Sequence, residues 1–257
     1  MVGTFPNLQD SSKFRVVPEL CYSEATPSKP RREFLAEKDC SVSIEDFPTF
    51  FDEIVAFAEQ KIHRRYDPRS WELRVSLSLP ATVLGSPLTQ WCGESLPRQH
   101  PIVIGCSDRV NPDHPRRFYL YNRLKHGWAR FFKPQKPLKE LNWLITGESA
   151  RDDWETYEAV QCWGGWLRCR QAAVERWYTL IESGIPLAIW LDGDCPQPQA
   201  IAQTFARLTD CCHEEFLDRV RSERRGSDSI PFGVFYENPN YLPTVAETSE
   251  EQFFRWG

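Results

Sequence analysis

Ile230-Pro231-Phe232-Gly233-Val234-Phe235-Tyr236 is a short apolar and aromatic run that breaks directly into the polar turn Glu237-Asn238-Pro239-Asn240. A run of this length, bounded by turn residues, predicts a strand buried on both faces with a rigid loop at its end. Pro186-Leu187-Ala188-Ile189-Trp190-Leu191 repeats the pattern and runs into Asp192-Gly193-Asp194. A third run, Pro101-Ile102-Val103-Ile104-Gly105-Cys106, ends in Ser107-Asp108-Arg109. Helical patterns lie between these strands. From Trp166, the positions Cys169, Ala173, Trp177, Leu180 and Ile181 keep helical spacing until Gly184 and Pro186 stop the helix. Ala200, Ile201, Phe205 and Leu208 form the next apolar face, and Phe216, Leu217 and Val220 another. This order predicts an α/β fold with a central mixed or mostly parallel sheet flanked by helices, and ligands of such sheets gather at the carboxyl ends of strands.

Toward the amino end, Trp71-Glu72-Leu73-Arg74-Val75-Ser76-Leu77-Ser78-Leu79 alternates apolar and polar residues before Pro80. Alternation predicts a strand with one buried face, placed near a sheet edge. Ser43-Ile44-Glu45-Asp46 reads as a capping box, and Phe47, Phe50, Phe51, Ile54, Val55, Ala58 and Ile62 follow at helical steps. An amphipathic helix over 43–66 is therefore expected to dock on the body by its aromatic stripe. Residues 1–42 mix Pro, Ser, Lys and Glu with few periodic apolar positions, which predicts an irregular lead or linker. The α/β domain is then expected over 70–257.

At 257 residues and 41% hydrophobic content the chain can bury a real core, and ten Trp, sixteen Phe and eight Tyr against one Met make that core aromatic and rigid. No stretch approaches the ~20 apolar residues that cross a bilayer, and the start lacks the pattern of a signal peptide, so a soluble cytoplasmic protein is expected. In that compartment the nine cysteines are expected to be mostly small buried apolar residues. Neither Cys211-Cys212-His213 nor the pair Cys162 and Cys169 has zinc-site spacing, and no cofactor is implied.

Phosphate-cradling GxxxxGK and GxGxxG loops are missing, as is the GxSxG elbow of a serine hydrolase. Asp192, Asp194 and Glu237 leave one enzymatic alternative, a metal-dependent nuclease holding Mg²⁺ on strand-end carboxylates. Between Arg109 and Lys139, five Arg and four Lys face Asp113 alone, a formal charge of +8 in a chain whose net charge is −5. Phe118, Tyr119, Tyr121, Trp128, Phe131 and Phe132 interleave with these cations. Such a segment suits an acidic protein region, and alternatively single-stranded RNA or DNA through phosphate contacts and base stacking.

Several segments in series resemble the C-terminal domain of the vWA-MoxR-associated proteins. They are Leu77-Ser78-Leu79-Pro80, Leu84, Pro87-Leu88 and Gln90-Trp91, then Pro101-Ile102-Val103-Ile104 with Asp108-Arg109. Gly184-Ile185-Pro186-Leu187-Ala188-Ile189-Trp190 and Glu237-Asn238-Pro239-Asn240-Tyr241-Leu242-Pro243 complete the likeness, which covers roughly residues 70 to 245. Thr89, Gly105 and Leu191 depart from the charged residues the family pattern leads one to expect. The resemblance implies a divergent, non-catalytic adaptor or sensor of a bacterial conflict system used in antiviral defence. Its effector chemistry would lie in a protein partner such as a MoxR-type ATPase, a vWA protein or a protease. Candidate partner-binding residues are Trp91, Asp108, Arg109, Arg116, Arg117, Arg123, Arg130, Asn238 and Tyr241.

Overall fold

In a computed structural model, the structure describes residues 1–6, 12–22, 31–35, 40–67, 71–84, 86, 88–93, 95–131, 137–146, 157–162, 170–191, 198–226 and 230–242. The strands are β1 (Val2–Pro6), β2 (Lys13–Tyr22), β3 (Arg31–Phe34), β4 (Cys40–Ser43), β5 (Val75–Leu79), β6 (Ile102–Cys106), β7 (Trp143–Thr146), β8 (Ala159–Cys162), β9 (Leu187–Leu191) and β10 (Phe232–Tyr236). They form one mixed sheet in the order β3-β2-β1-β5-β6-β10-β9-β8-β7, with β4 on the same side of β2 as β3. The helices are α1 (Phe47–His63), α2 (Thr89–Cys92), α3 (Leu96–Gln99), α4 (Arg117–Phe131), α5 (Arg170–Ser183), α6 (Pro198–Thr209) and α7 (Phe216–Arg225).

Two parallel blocks run in opposite directions. β1, β5, β6 and β10 are mutually parallel neighbours, as are β7, β8 and β9, and the blocks meet at the antiparallel β9–β10 pair. Alternate residues of the central strands feed two cores. Ile102, Ile104, Phe235, Ala188 and Trp190 join α1 and α5 on one face. Val103, Val234, Phe232, Leu187 and Ile189 join α4, α6 and α7 on the other. The register sets Gly233 opposite Trp190, and a Cβ on Gly233 would fall 2.1 Å from the indole ring. The glycine inside the decisive run is thus a seat for the largest side chain of its neighbour strand.

The described residues of the 1–42 segment are not an irregular lead, because they form β1 to β3 and most of β4. Phe14 and Val16 enter the main core, while Val17 faces Phe5 and Leu124 on the other side, so β2 is apolar on both faces. Pro18 and the short neighbouring strands hid that pattern in the sequence. β5 is also not near an edge, since β1 and β6 flank it on both sides. The helix expected over 43–66 begins at Phe47, with Pro48 in its first turn, where a missing N–H costs nothing. The Ser43 hydroxyl instead donates to Asp46 Oδ2 at 2.7 Å and accepts from Asp46 N at 3.1 Å, closing the turn that precedes the helix.

Candidate functional site

The carboxyl ends of β6 and β10 bring Asp108, Arg109 and Glu237 together with the end of α5. Glu237 Oε1 accepts from Cys106 N at 2.7 Å, and Oε2 is ion-paired with Arg109 Nη1. The guanidinium also donates from Nη2 to Ile181 O at 2.9 Å and lies 5.7 Å from the Phe235 ring centre. Both side chains are within 2% of complete burial. Burial lowers the Arg109 pKa to about 10, which leaves it charged at neutral pH. Gly105 makes room for this arrangement, because a Cβ there would sit 3.0 Å from Glu237 Oε1.

Asp108 is buried beside the pair, and its Oδ2 accepts from Ala81 N at 3.3 Å. Burial raises its pKa, against the opposing hydrogen bonds from Ala81 and the Tyr178 side chain. Tyr178, on α5, had no signal in the sequence that linked it to Asp108. Burial and the neighbouring Asp108 push the Cys106 thiol up to about 12, so it stays protonated and is a poor nucleophile. Arg109 Nε and the Ser107 hydroxyl have no hydrogen-bond partner among the described residues, but the bonds from Arg109 and Cys106 pin the ends of α5 and β10 to β6.

Leu191 lies opposite Phe232, so β9 ends at the far end of β10 from Glu237, about 16 Å along the strand. Asp192 and Asp194 themselves fall outside the described residues, and both oxygens of Glu237 are engaged as above. Among the described residues, no group of three His, Cys, Asp or Glu side chains is arranged to hold a metal ion. The Cys162 and Cys169 side chains fall outside the described residues, whereas Cys211 is buried and its thiol is pushed up to about 11 by desolvation.

The partner-binding candidates divide by burial. Trp91 is wholly buried on α2, its ring 5.6 Å from Phe47 and 6.0 Å from Phe14, where it joins α1 to β2. Asp108 and Arg109 are likewise interior, so none of these three offers a surface to a partner in this structure. Apolar neighbours had not marked Asp108 or Arg109 as buried; only the fold supplies their partners. Asn238 is half-buried and its Oδ1 accepts from Asn240 N, which sets the turn that exposes Tyr241.

The basic segment forms α4. Leu120, Leu124, Trp128 and Phe131 turn inward, while Tyr119, Lys125, His126 and Arg130 are exposed. Arg116, just before the helix, lies 4.8 Å from the Tyr119 ring centre and pairs with Glu182. The Arg117 guanidinium lies 4.5 Å from the Phe118 ring and the Lys125 ammonium 4.4 Å from that of Tyr121. Arg123 is half-buried and donates from Nε to Glu182 O at 2.9 Å, tying α4 to the end of α5. Arg123, His126, Ala129, Arg130 and Ser183 line a surface depression of about 410 Å³.

The vWA-MoxR associated protein C-terminal domain, VMAP-C, matches residues 12–239. This chain belongs to the VMAP-C family. The VMAP-C match begins just before β2, so β2, β3 and β4 lie within the family's span, whereas β1 precedes it. Membership links the chain to vWA-MoxR-associated conflict systems. No curated protein and no solved structure matches the chain. Of the positions that depart from the expected VMAP-C pattern, Gly105 is explained by the Glu237 carboxylate; the side chains of Thr89 and Leu191 lie outside the described residues. No helix among the described residues is long and apolar enough to cross a membrane.

Proposed function

We propose that this VMAP-C domain is a non-catalytic adaptor or sensor module of a bacterial conflict system, binding an acidic surface of a protein that carries the effector chemistry. The observation that carries this reading is the exposed face of α4, where Arg116, Tyr119, Lys125, His126 and Arg130 combine positive charge with aromatic area. Arg and Tyr are the side chains that most often anchor interfaces, and like charge along one face steers an oppositely charged partner. The internal pairing of Arg109 with Glu237 and the protonated state of Cys106 support a structural use of the strand-end residues.

The test is direct binding between this chain and any MoxR-type ATPase, vWA protein or protease encoded beside it, with single-stranded RNA as a parallel arm. Arg116→Glu with Arg130→Glu should weaken the protein partner by at least tenfold, about 1.4 kcal/mol, without changing the melting temperature. Steeply salt-dependent RNA binding with no protein partner would replace the adaptor reading by the nucleic-acid one. Turnover of a small substrate by the isolated chain would remove both.

A further inference from the structure

Interior parallel strands are covered on both faces, and β6, β9 and β10 are accordingly apolar along their length. β5 is flanked by parallel neighbours on both sides, yet it reads Val75-Ser76-Leu77-Ser78-Leu79. Val75, Leu77 and Leu79 enter the main core. The two serines lie on the opposite face, at the place where the second core would otherwise continue from Val103. That face is a cleft of about 710 Å³, within the ~300–1,000 Å³ range of small-molecule sites. Its polar floor explains the alternation that resembled an edge strand.

The walls define what the cleft would hold. Tyr66, Trp71 and Tyr241 supply aromatic surface, and Lys61, Arg65 and Arg74 supply three cations, of which Lys61 and Arg65 share the Glu33 carboxylate and Arg74 meets Glu72 and Asp218. Two carboxylates also line it, but each is engaged: Glu72 with Arg74 and Arg221, and Glu237 with Arg109 and Cys106 N. Trp71 Nε1 is buried and has no hydrogen-bond acceptor among the described residues, a feature it shares with the core indoles of Trp91, Trp177 and Trp190, and Trp71 alone of the four lines the cleft. Desolvation pushes the Tyr236 phenol up, keeping it a neutral hydroxyl beside Arg74. Lys61 and Arg65 share one carboxylate, which leaves an excess of positive charge on that wall, and a ligand that brings acceptor oxygens and a flat ring completes the site.

We infer that the cleft over Ser76 and Ser78 binds a small aromatic anion, a planar ring carrying a phosphate or carboxylate group. Trp71 and Tyr241 would flank the ring, and the indole N–H with Arg74 would meet the anionic oxygens. This site is separate from the α4 surface, and its occupancy does not depend on the partner proposed above.

Isothermal titration of the full chain tests the assignment with adenosine 5′-monophosphate and indole-3-acetate as ring-bearing probes, and with adenosine, inorganic phosphate and acetate as their fragments. Saturable binding of a ring-bearing anion, at least about tenfold tighter than of its fragments, is expected, and the better of the two probes distinguishes phosphate from carboxylate. Trp71→Phe keeps a ring and removes the donor, and should weaken that binding about tenfold. Ser76→Leu should fill the floor and abolish it. Arg74→Gln, at a half-exposed position, should weaken it too and keeps the test open where Ser76→Leu fails to fold. Absence of binding by both ring-bearing probes at millimolar concentration overturns the inference. So does fragment binding as tight as the whole probe, or unchanged affinity in folded Trp71→Phe and Arg74→Gln.

Discussion

Arg109 and Glu237 are 128 residues apart in sequence and meet where β6 and β10 end. Removing one member of such a pair leaves a buried charge without its counter-ion, which typically costs about 3–5 kcal/mol, whereas replacing both by apolar groups is close to neutral. Glu237→Gln should therefore lower the urea unfolding free energy by that amount, and Arg109→Met with Glu237→Leu should recover the part due to the unpaired charge, while Cys106 N and Ile181 O remain without their side-chain partners. A double variant as unstable as the sum of its single changes would show that the two residues act independently. Asp108 adds a pH dependence of known sign. Its folded pKa is raised from the ordinary 3.8, so the folded state holds the proton more tightly than the unfolded chain does. Stability from this group is present below about 3.8 and is lost as pH rises through the elevated folded value. Asp108→Asn removes the titration and should match the wild type near pH 3 while exceeding it at pH 7. Urea midpoints at the two pH values measure this, and a variant weaker than wild type only at pH 7 would reverse the assigned direction.

At the scale of elements, α4 and α5 are held at a separation that only glycine permits. A Cβ on Gly127 would sit 1.7 Å from Gly184 O, and Gly184 itself has φ +76° and closes α5 as the chain turns into β9. Gly127→Ala should cost about 1–3 kcal/mol through overpacking and displace α4, read as a lower melting temperature together with changed amide protection in α4 and the end of α5. Unchanged stability would mean that the crossing relaxes freely. Apolar runs identified β6, β9 and β10 in the sequence because burial on both faces leaves a signal in every residue. α1, α5, α6 and α7 were legible through their spacing. Other elements were not: β1 to β4 are short or interrupted by Pro18, and β5 carries an exposed-looking face because it floors a cleft. Strand direction also has no local signal. The acidic segments after β9 and β10 look equivalent in the sequence, and only the antiparallel pairing of the two strands puts Leu191 and Tyr236 at opposite ends of the sheet. Asp108 and Arg109 were visible as a polar pair after a strand, but their burial depends on α5 and β10, which arrive from distant parts of the chain.

For the whole molecule, the β1–β4 annex decides whether the sheet has a protected flank. β1 pairs with β5 through Val2 and Gly3, and β2 carries Phe14 and Val16 into the same core as Phe47, Phe51 and Trp91. Without this annex, β5 becomes an edge with open N–H and C=O groups, and the aromatic underside of α1 loses its cover. An unprotected edge beside exposed apolar surface is a site for intermolecular pairing. Deletion of residues 1–43 should therefore give a chain that aggregates or lacks near-ultraviolet dichroism, although every residue of the Arg109–Glu237 cluster and of α4 remains. A lead that merely connects would allow the opposite result, a soluble truncated protein with an unchanged melting profile. Soluble yield and the near-ultraviolet spectrum separate the two outcomes, because the Phe14–Trp91 contact, 6.0 Å between ring centres, ties the annex to the aromatic core that gives the spectrum.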